Sequence, residues 1–241
     1  MVQRVFGENP GVVEQSPSAF VAKIDRDVSG PKQALARLRS LKQSQRWAEA
    51  GDELDAEFKK LIGEGAESVG RLSETDLLAR LMRDGPTHFV RDKTLRLVTL
   101  LTEAGEVAAA EQRLEESRGC HLKALHLLLA VLGRDEVFEW PGFVPKVEWL
   151  RERLRNEPLP LRTHALLMQH HERTGAFAKA EDELFAMLDA EPDNPAIVEF
   201  GRTFYHRLLA QSDAMLNAAG LPRAEVAEGF KQLLARAISR Q

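Results

Sequence analysis

The sequence has one cysteine, Cys120, among its 241 residues. A lone cysteine allows no disulfide bond within the chain and no cysteine-rich zinc site. Long apolar runs are also missing: no uncharged apolar stretch has the length of a membrane span, and residues 1–10 lack the apolar core of a signal peptide. We therefore expect a soluble protein that is not exported and that works in a reducing cytoplasm.

Neither sign of charge is in large excess. The formal net charge is −4 at pH 7 and the isoelectric point is about 6.0, so the chain as a whole attracts neither nucleic acid nor an anionic membrane. β-Branched residues are sparse beside leucine, alanine, glutamate and arginine, and this composition favours helices. The expected fold class is all-α.

Prolines and glycines set residues 1–30 apart from the rest of the chain. The pairs at positions 10–11 and 30–31 and the proline at position 17 leave room for only a short helix. We predict an arm or cap with little regular structure over 1–30. It covers the first hairpin, or it is exchanged between subunits to form a homodimer, or it is released when a partner binds. Residues 31–241 are predicted to form a single helical-repeat domain.

Apolar residues spaced by three and four, with turn residues between the runs, predict three antiparallel helix hairpins. They lie near residues 31–62, 89–117 and 161–190, with further helices between and after them. Each has a bulky residue at its turn, a small residue three positions later and an apolar residue four further on. The three sets are Trp47, Ala50 and Leu54; Val107, Ala110 and Leu114; and Phe177, Ala180 and Leu184. The second turn is predicted at Gly105, and each alanine is expected where its two helices meet.

The third hairpin resembles a tetratricopeptide repeat. The matching residues are Leu167, Gly175, Phe177, Ala180, Leu184, Leu188 and Pro192. His164 and His171 stand where that family usually has packing aromatics, and the first two hairpins lack the terminal proline. The resemblance implies a tetratricopeptide-like α-solenoid, a superhelix of stacked hairpins, whose usual role is to bind other proteins.

The C-terminal third is similar to an uncharacterised bacterial domain-of-unknown-function family. The similarity lies in segments 179–185, 204–209 and 221–226. It implies a helical fold and brings no activity with it.

Repeat geometry gives candidate partner-binding residues. If the first helix of each hairpin lines the inner curve, as in tetratricopeptide proteins, nine positions face the groove. They are Lys32, Arg39 and Lys42, then Asp92, Thr99 and Thr102, then Arg162, Gln169 and Glu172. One end of this groove is basic, and we expect it to accept an extended or helical protein segment with an acidic end. An equally weighted alternative is that the basic first helix binds no partner. It is then exposed to solvent or covered by the arm, and it pairs with the acidic helix beside it.

Seven histidines raise an alternative of a different class, a helical enzyme or small-molecule sensor with a pocket near His164, His171 and the loop Trp140–Pro145. No histidine pair has the spacing of a helical metal site, and no phosphate-binding glycine loop or serine nucleophile elbow occurs. We therefore predict no catalytic residue, cofactor or metal. Cys120 is a conceivable nucleophile because it lies at a predicted helix start, where the helix dipole lowers the pKa of a thiol, although a lone cysteine is more often inert. Nucleic-acid binding through residues 32–46 is disfavoured by the acidic helix that follows.

Overall fold

A computed structural model describes residues 32–82, 87–134 and 140–238 of the chain. All regular structure in these ranges is helical, which confirms the all-α prediction. The predicted arm over 1–30 lies outside the described residues. Among those described, no helix combines the length and the apolar character that crossing a membrane requires.

The helices follow one another with short connections. They are α1 (32–43), α2 (Trp47–Ile62), α3 (Ala66–Arg71), α4 (Glu74–Met82), α5 (Thr87–Ala110), α6 (Leu114–Leu132), α7 (Val147–Arg153), α8 (Leu161–Arg173), α9 (Phe177–Ala190), α10 (Pro195–Leu209), α11 (Asp213–Ala218) and α12 (Arg223–Ile238). Pro195 opens α10 at the position where a missing N–H costs nothing, and the Asn194 side chain caps the helix by accepting from the Ala196 N–H at 3.0 Å.

Three helix pairs, α1/α2, α5/α6 and α8/α9, share one turn. In each, a residue in the left-handed conformation (Gln45 φ 55°, Gln112 φ 62°, Gly175 φ 73°) precedes the second helix by two positions. The residue between them has nearly the same backbone angles each time, with φ from −86° to −88° and ψ from 61° to 68°. Its N–H donates to the carbonyl five residues back at 2.9, 2.8 and 2.8 Å. Positions 45, 112 and 175 are therefore structurally equivalent.

The predicted turn at Gly105 is wrong. Helix α5 continues through Gly105 to Ala110, and the turn follows at Gln112. The residues equivalent to Trp47, Ala50 and Leu54 are consequently Leu114, Ser117 and His121, and Ala110 is exposed rather than packed between helices. Gly105 instead allows α5 to approach α6 closely, because a Cβ there would lie 2.6 Å from the Nε2 atom of His121 on α6.

Replacing Gln112 with glycine is expected to stabilise the protein by about 0.5–1 kcal/mol. Left-handed backbone strains a residue that has a Cβ, and glycine removes that strain, although it adds entropy to the unfolded chain. Gly175→Gln, which makes the reverse change at the equivalent turn, should lower stability by a similar amount. Urea unfolding monitored by circular dichroism measures both, and a loss of stability in Gln112→Gly would contradict the shared turn.

Each pair packs on the next. Arg37 of α1 is joined to Glu53 of α2 at 2.5 Å, as the charge pattern of the first hairpin predicts. Helix α2 packs on α5, α5 along α6, α8 along α9, α9 on α10, and α10 along α12. The buried apolar residues form one cluster from Leu35 to Leu167 and a second from Met168 to Leu233. The two clusters therefore meet within α8.

Helices α6 and α8 run in the same direction. His126 contacts Thr163 early in α8, and the carbonyl of Arg134 after α6 accepts from Arg173 at the end of α8. Helix α10 also runs with α8, because it is antiparallel to α9, with Tyr205 beside Glu181 and Gly201 beside Leu184. Neighbouring helices in an array of identically oriented hairpins alternate in direction. Here, the segment that contains α7 reverses the third hairpin, and the C-terminal ends of α6, α8 and α10 meet at one edge.

Candidate functional site

The edge where α6, α8 and α10 end holds an open groove of about 970 Å³. Its floor is apolar and its rim is polar. The apolar part is made by Leu129, Leu132, Leu166, Phe177, Leu208 and Met215. Met215 of α11 is 53% exposed, so a flexible and polarisable side chain lies at the groove and can adapt to an apolar partner.

Arginines dominate the rim. Of the described residues, Arg134, Arg173 and Arg207 line it beside the carboxylate of Glu172. That carboxylate accepts two hydrogen bonds from Arg207, at 2.5 Å from Nε and 2.8 Å from Nη2, and this pairing raises the pKa of the Arg207 guanidinium. Burial lowers the pKa of His170 at the same rim, which leaves its ring neutral at pH 7. Among the residues that the structure describes, three guanidinium groups and one carboxylate therefore line the rim.

Of the predicted partner-binding residues, only Gln169 and Glu172 line this groove. Arg162, at the opposite end of α8, is exposed and does not line it. Lys32 and Arg39 are also exposed, while Lys42 is joined to Glu103 of α5 at 2.6 Å. The predicted set is thus divided between two places, because the third hairpin is reversed with respect to the first two.

The second-hairpin positions have different surroundings. Thr99 and Thr102 are buried, and their hydroxyls donate to carbonyls one turn back, at 3.0 and 2.8 Å. Both also line a second opening of about 460 Å³ that includes residues 142–145 of the loop Trp140–Pro145. Asp92 is exposed and forms an ion pair with Arg91.

His164 and His171 do not line the opening that this loop forms. The Nδ1 atom of His164 lies 2.5 Å from Oε2 of Glu183, whose other oxygen is 3.5 Å from Arg151 of α7. His171 is buried, and burial lowers its pKa. His164 therefore joins α8 to α9 and, through Glu183, to α7, while neither histidine lines the opening beside the loop.

Sequence reasoning missed a row of Glu74, His126 and Thr163, in which His126 and Thr163 are buried and Glu74 is half-buried. The Nδ1 atom of His126 lies 3.1 Å from Glu74 Oε1, and its Nε2 atom lies 2.6 Å from the Thr163 hydroxyl. A hydroxyl, an imidazole and a carboxylate in this order form the catalytic triad of many hydrolases. Thr163, however, is 0% exposed, so no substrate reaches its hydroxyl, and the row links α4, α6 and α8. No local pattern signals it, because the three residues are far apart in the sequence.

His121 occupies the position of Leu54 and Leu184 in the other two hairpins. Its ring is 3% exposed, lies edge-on to Trp149 and is 3.5 Å from the Ser117 hydroxyl through Nδ1. Its Nε2 atom is buried without a hydrogen-bond partner. Burial, with help from the nearby Arg153 charge, lowers the pKa of His121 to about 4.

Cys120 does not fulfil the expectation of a helix-start thiol. Helix α6 begins at Leu114, so Cys120 lies in its second turn, where it is buried. Burial raises the pKa of its thiol from 9.0 to about 11. The candidate nucleophile of the sequence analysis is therefore an inert core residue.

Labelling of the Cys120 thiol should require unfolding of the chain. At pH 8, the pKa of about 11 leaves the folded Cys120 with about a hundredth of the thiolate of an ordinary cysteine, and burial blocks access as well. Labelling by a maleimide in native buffer is thus expected to be at least about 100-fold slower than in denaturing urea. Rapid labelling of the native protein would contradict the buried position.

No group of three or more histidine, cysteine, aspartate or glutamate side chains suited to a metal occurs in residues 32–82, 87–134 and 140–238.

Comparison with known proteins adds one finding. The sequence profile of a family of unknown function, DUF6483, matches residues 74–237. No curated protein and no solved structure matches the chain.

Proposed function

The chain belongs to DUF6483, a family of unknown function, and from its geometry we propose that it is a non-catalytic scaffold or adaptor. It binds a segment of another protein in the groove where α6, α8 and α10 end. The observation that carries this proposal is an open groove of about 970 Å³ with an apolar floor, an exposed methionine and an arginine-rich rim. Surfaces of this kind serve peptide recognition by apolar anchoring and charge complementarity.

The proposed architecture is a tetratricopeptide-like stack of hairpins with one reversal. Its support is the turn repeated at positions 45, 112 and 175, together with the packing of each pair on the next. Such stacks expose one edge of every hairpin along their length, which suits them to holding partners. The reversal at α7 brings the C-terminal ends of α6, α8 and α10 together, so the exposed edge forms one groove rather than a continuous inner curve.

The same reasoning favours binding over catalysis. The groups with the order of a catalytic triad, Glu74, His126 and Thr163, are held inside the fold, where they stabilise contacts between helices. The described lining of the groove is mainly apolar, guanidinium and amide groups, which bind and orient ligands more than they transfer protons. Of its two other titratable groups, the Glu172 carboxylate is engaged by Arg207, and the His170 imidazole has no serine, threonine or cysteine among the described lining residues to activate. A cytoplasmic location is part of the proposal, and the unpaired thiol of Cys120 supports it.

Site-specific photocrosslinking in the native cell tests the groove. A benzophenone amino acid replaces Met215 at the groove in one variant and Ala227, an exposed residue of α12, in the matched control. We expect a crosslinked protein at position 215 that is absent at position 227. Adding Ala210→Arg, which places a long side chain at an exposed groove position, should abolish that crosslink while the melting temperature is kept.

Two outcomes would overturn the proposal. One is the same set of crosslinked proteins at positions 215 and 227, which indicates nonspecific contact. The other is a crosslink at 215 that Ala210→Arg leaves unchanged.

A further inference from the structure

We propose that Glu106, Arg153 and His121 form a pH switch where α5, α6 and α7 meet. When His121 takes a proton from solvent, the Glu106 carboxylate turns from Arg153 to the Nε2–H group of His121. Arg153 then leaves the face of the Trp149 ring and turns to water. None of these residues lines the groove, so the switch is independent of the proposed scaffold.

While His121 is neutral, Glu106 of α5 holds Arg153 of α7. The Nε atom of Arg153 lies 2.9 Å from Glu106 Oε1, and its Nη2 atom lies 3.3 Å from Oε2. The guanidinium carbon lies 4.6 Å from the centroid of the Trp149 ring, which is the geometry of a cation–π contact. Trp149 also lines the opening of about 460 Å³, so release of Arg153 uncovers one face of a ring at that opening.

His121 of α6 lies close to the same carboxylate. Its Nε2 atom is 3.9 Å from Glu106 Oε1 and has no hydrogen-bond partner among the described residues. Its Nδ1 atom is 3.5 Å from the Ser117 hydroxyl. A shift of about 1 Å therefore brings Oε1 within hydrogen-bond distance of Nε2. A buried nitrogen without a partner gains most from such a bond when it carries a proton.

Protonation of His121 reverses the balance of charge around Glu106. Burial is the main cause of the lowered pKa of His121, and two cations that face it, Arg153 of α7 and Lys42 of α1, add to it, whereas the backbone of α5 raises it. Lys42 is held by Glu103 at 2.6 Å, while Arg153 is exposed and can turn to water. The imidazolium therefore attracts Glu106 and displaces Arg153.

The switch operates in acid, because burial lowers the pKa of His121 to about 4. A hydrogen bond that Glu106 makes to the protonated ring stabilises that form of His121. Because the two equilibria are linked, loss of the Glu106 charge must weaken proton binding by His121, and loss of Arg153 must strengthen it.

Proton NMR of the full chain follows both partners of Glu106. At pH 7, the ring current of Trp149 shifts the side-chain signals of Arg153 upfield, because the guanidinium lies on the ring. We expect these signals to move to their ordinary positions with the midpoint at which the His121 ring titrates, near pH 4. In His121→Leu they should stay upfield over the same range. Circular dichroism checks that the helices are kept.

Substitutions of the two partners test the linkage. Glu106→Gln should reduce the proton affinity of His121 at least about threefold, because an amide does not attract the imidazolium. Arg153→Met should increase it at least about threefold, because the carboxylate is then free and the repulsion is gone. The control is Glu148→Gln, an exposed carboxylate of α7 that does not shift the pKa of His121. It should leave the proton affinity unchanged.

Four results would overturn the switch. Arg153 signals that stay upfield while His121 titrates would show that the guanidinium does not leave the ring. The same movement in His121→Leu would show that His121 does not cause it. An unchanged proton affinity in Glu106→Gln would show that the carboxylate does not bind the protonated ring. Unfolding of the whole chain in this pH range, without a folded state in which Arg153 has moved, would leave no switch.

Discussion

Replacing His121 with leucine is expected to make the free energy of unfolding fall less steeply when the pH is lowered. In the folded chain, the pKa of His121 is lowered to about 4 from its ordinary value of 6.5. Between these two values, the unfolded chain binds a proton that the folded chain does not. The free energy of unfolding therefore falls as pH drops from about 6.5 towards 4, and above 6.5 the penalty is absent.

The size of the effect follows from the pKa difference. A lowering from 6.5 to about 4 corresponds to a loss of roughly 3 kcal/mol near pH 4. His121→Leu installs the residue that the first and third hairpins carry at this position, and it removes the buried Nε2 atom that has no hydrogen-bond partner. We expect the variant to be at least as stable as the wild type at pH 7 and more stable by roughly 3 kcal/mol near pH 4.

Urea unfolding at a series of pH values measures the change. The reciprocal variant, Leu54→His, places a histidine at the equivalent buried position of the first hairpin and should steepen the dependence on pH. Buried His126 and His171 and half-buried His170 also have a lowered pKa, so part of the acid sensitivity remains in both variants. If the free energies of unfolding of the wild type and His121→Leu depend on pH in the same way, protonation of His121 does not destabilise the folded chain.

The helices could be predicted from the sequence because their signals are local. Apolar residues at spacings of three and four mark the buried face of α2, where Ala50, Leu54, Phe58 and Leu61 are buried as the periodicity indicates. The turn of the third hairpin could be predicted for the same reason, since Gly175 takes the left-handed conformation that favours glycine.

The second turn was misplaced because glycine has two uses. At Gly105 it permits α5 to approach the ring of His121, whereas the left-handed position after α5 is taken by Gln112. The equivalent turn after α1 also has a glutamine, Gln45. An alignment on the glutamines rather than on the alanines would have revealed the register from the sequence.

The groove could not be predicted, because it depends on the direction of α8 relative to α6. The periodicity of α8 is the same whichever way the helix points. Its direction is fixed by contacts between distant residues, above all His126 with Thr163 and Arg173 with the carbonyl of Arg134. The assumption of identically oriented hairpins therefore placed Lys42 and Glu172 along one groove, while the structure separates them.

Gly229→Ala should destabilise the C-terminal pair α10/α12 by about 2–3 kcal/mol. An alanine Cβ at this buried position of α12 would overlap the Tyr205 hydroxyl and the Glu181 carboxylate, and it would lie 3.1 Å from Cζ of Tyr205. The Tyr205 ring is 0% exposed and donates to Glu181 at 2.6 Å, so it cannot move aside without losing that hydrogen bond or its packing. Thermal unfolding measures the loss.

Two further variants show that the cause is this overlap rather than a general property of alanine. Gly51→Ala, in α2, meets nothing within 4 Å, and it should stabilise the protein by about 0.5–1 kcal/mol because alanine favours helix. Adding Tyr205→Phe to Gly229→Ala removes one of the two oxygens that the new Cβ meets and frees the Glu181 carboxylate from its hydrogen bond to Tyr205, so the double variant should be more stable than the sum of the two single changes predicts. Simple additivity of the two changes would show that the hydroxyl of Tyr205 is not what confines this position to glycine.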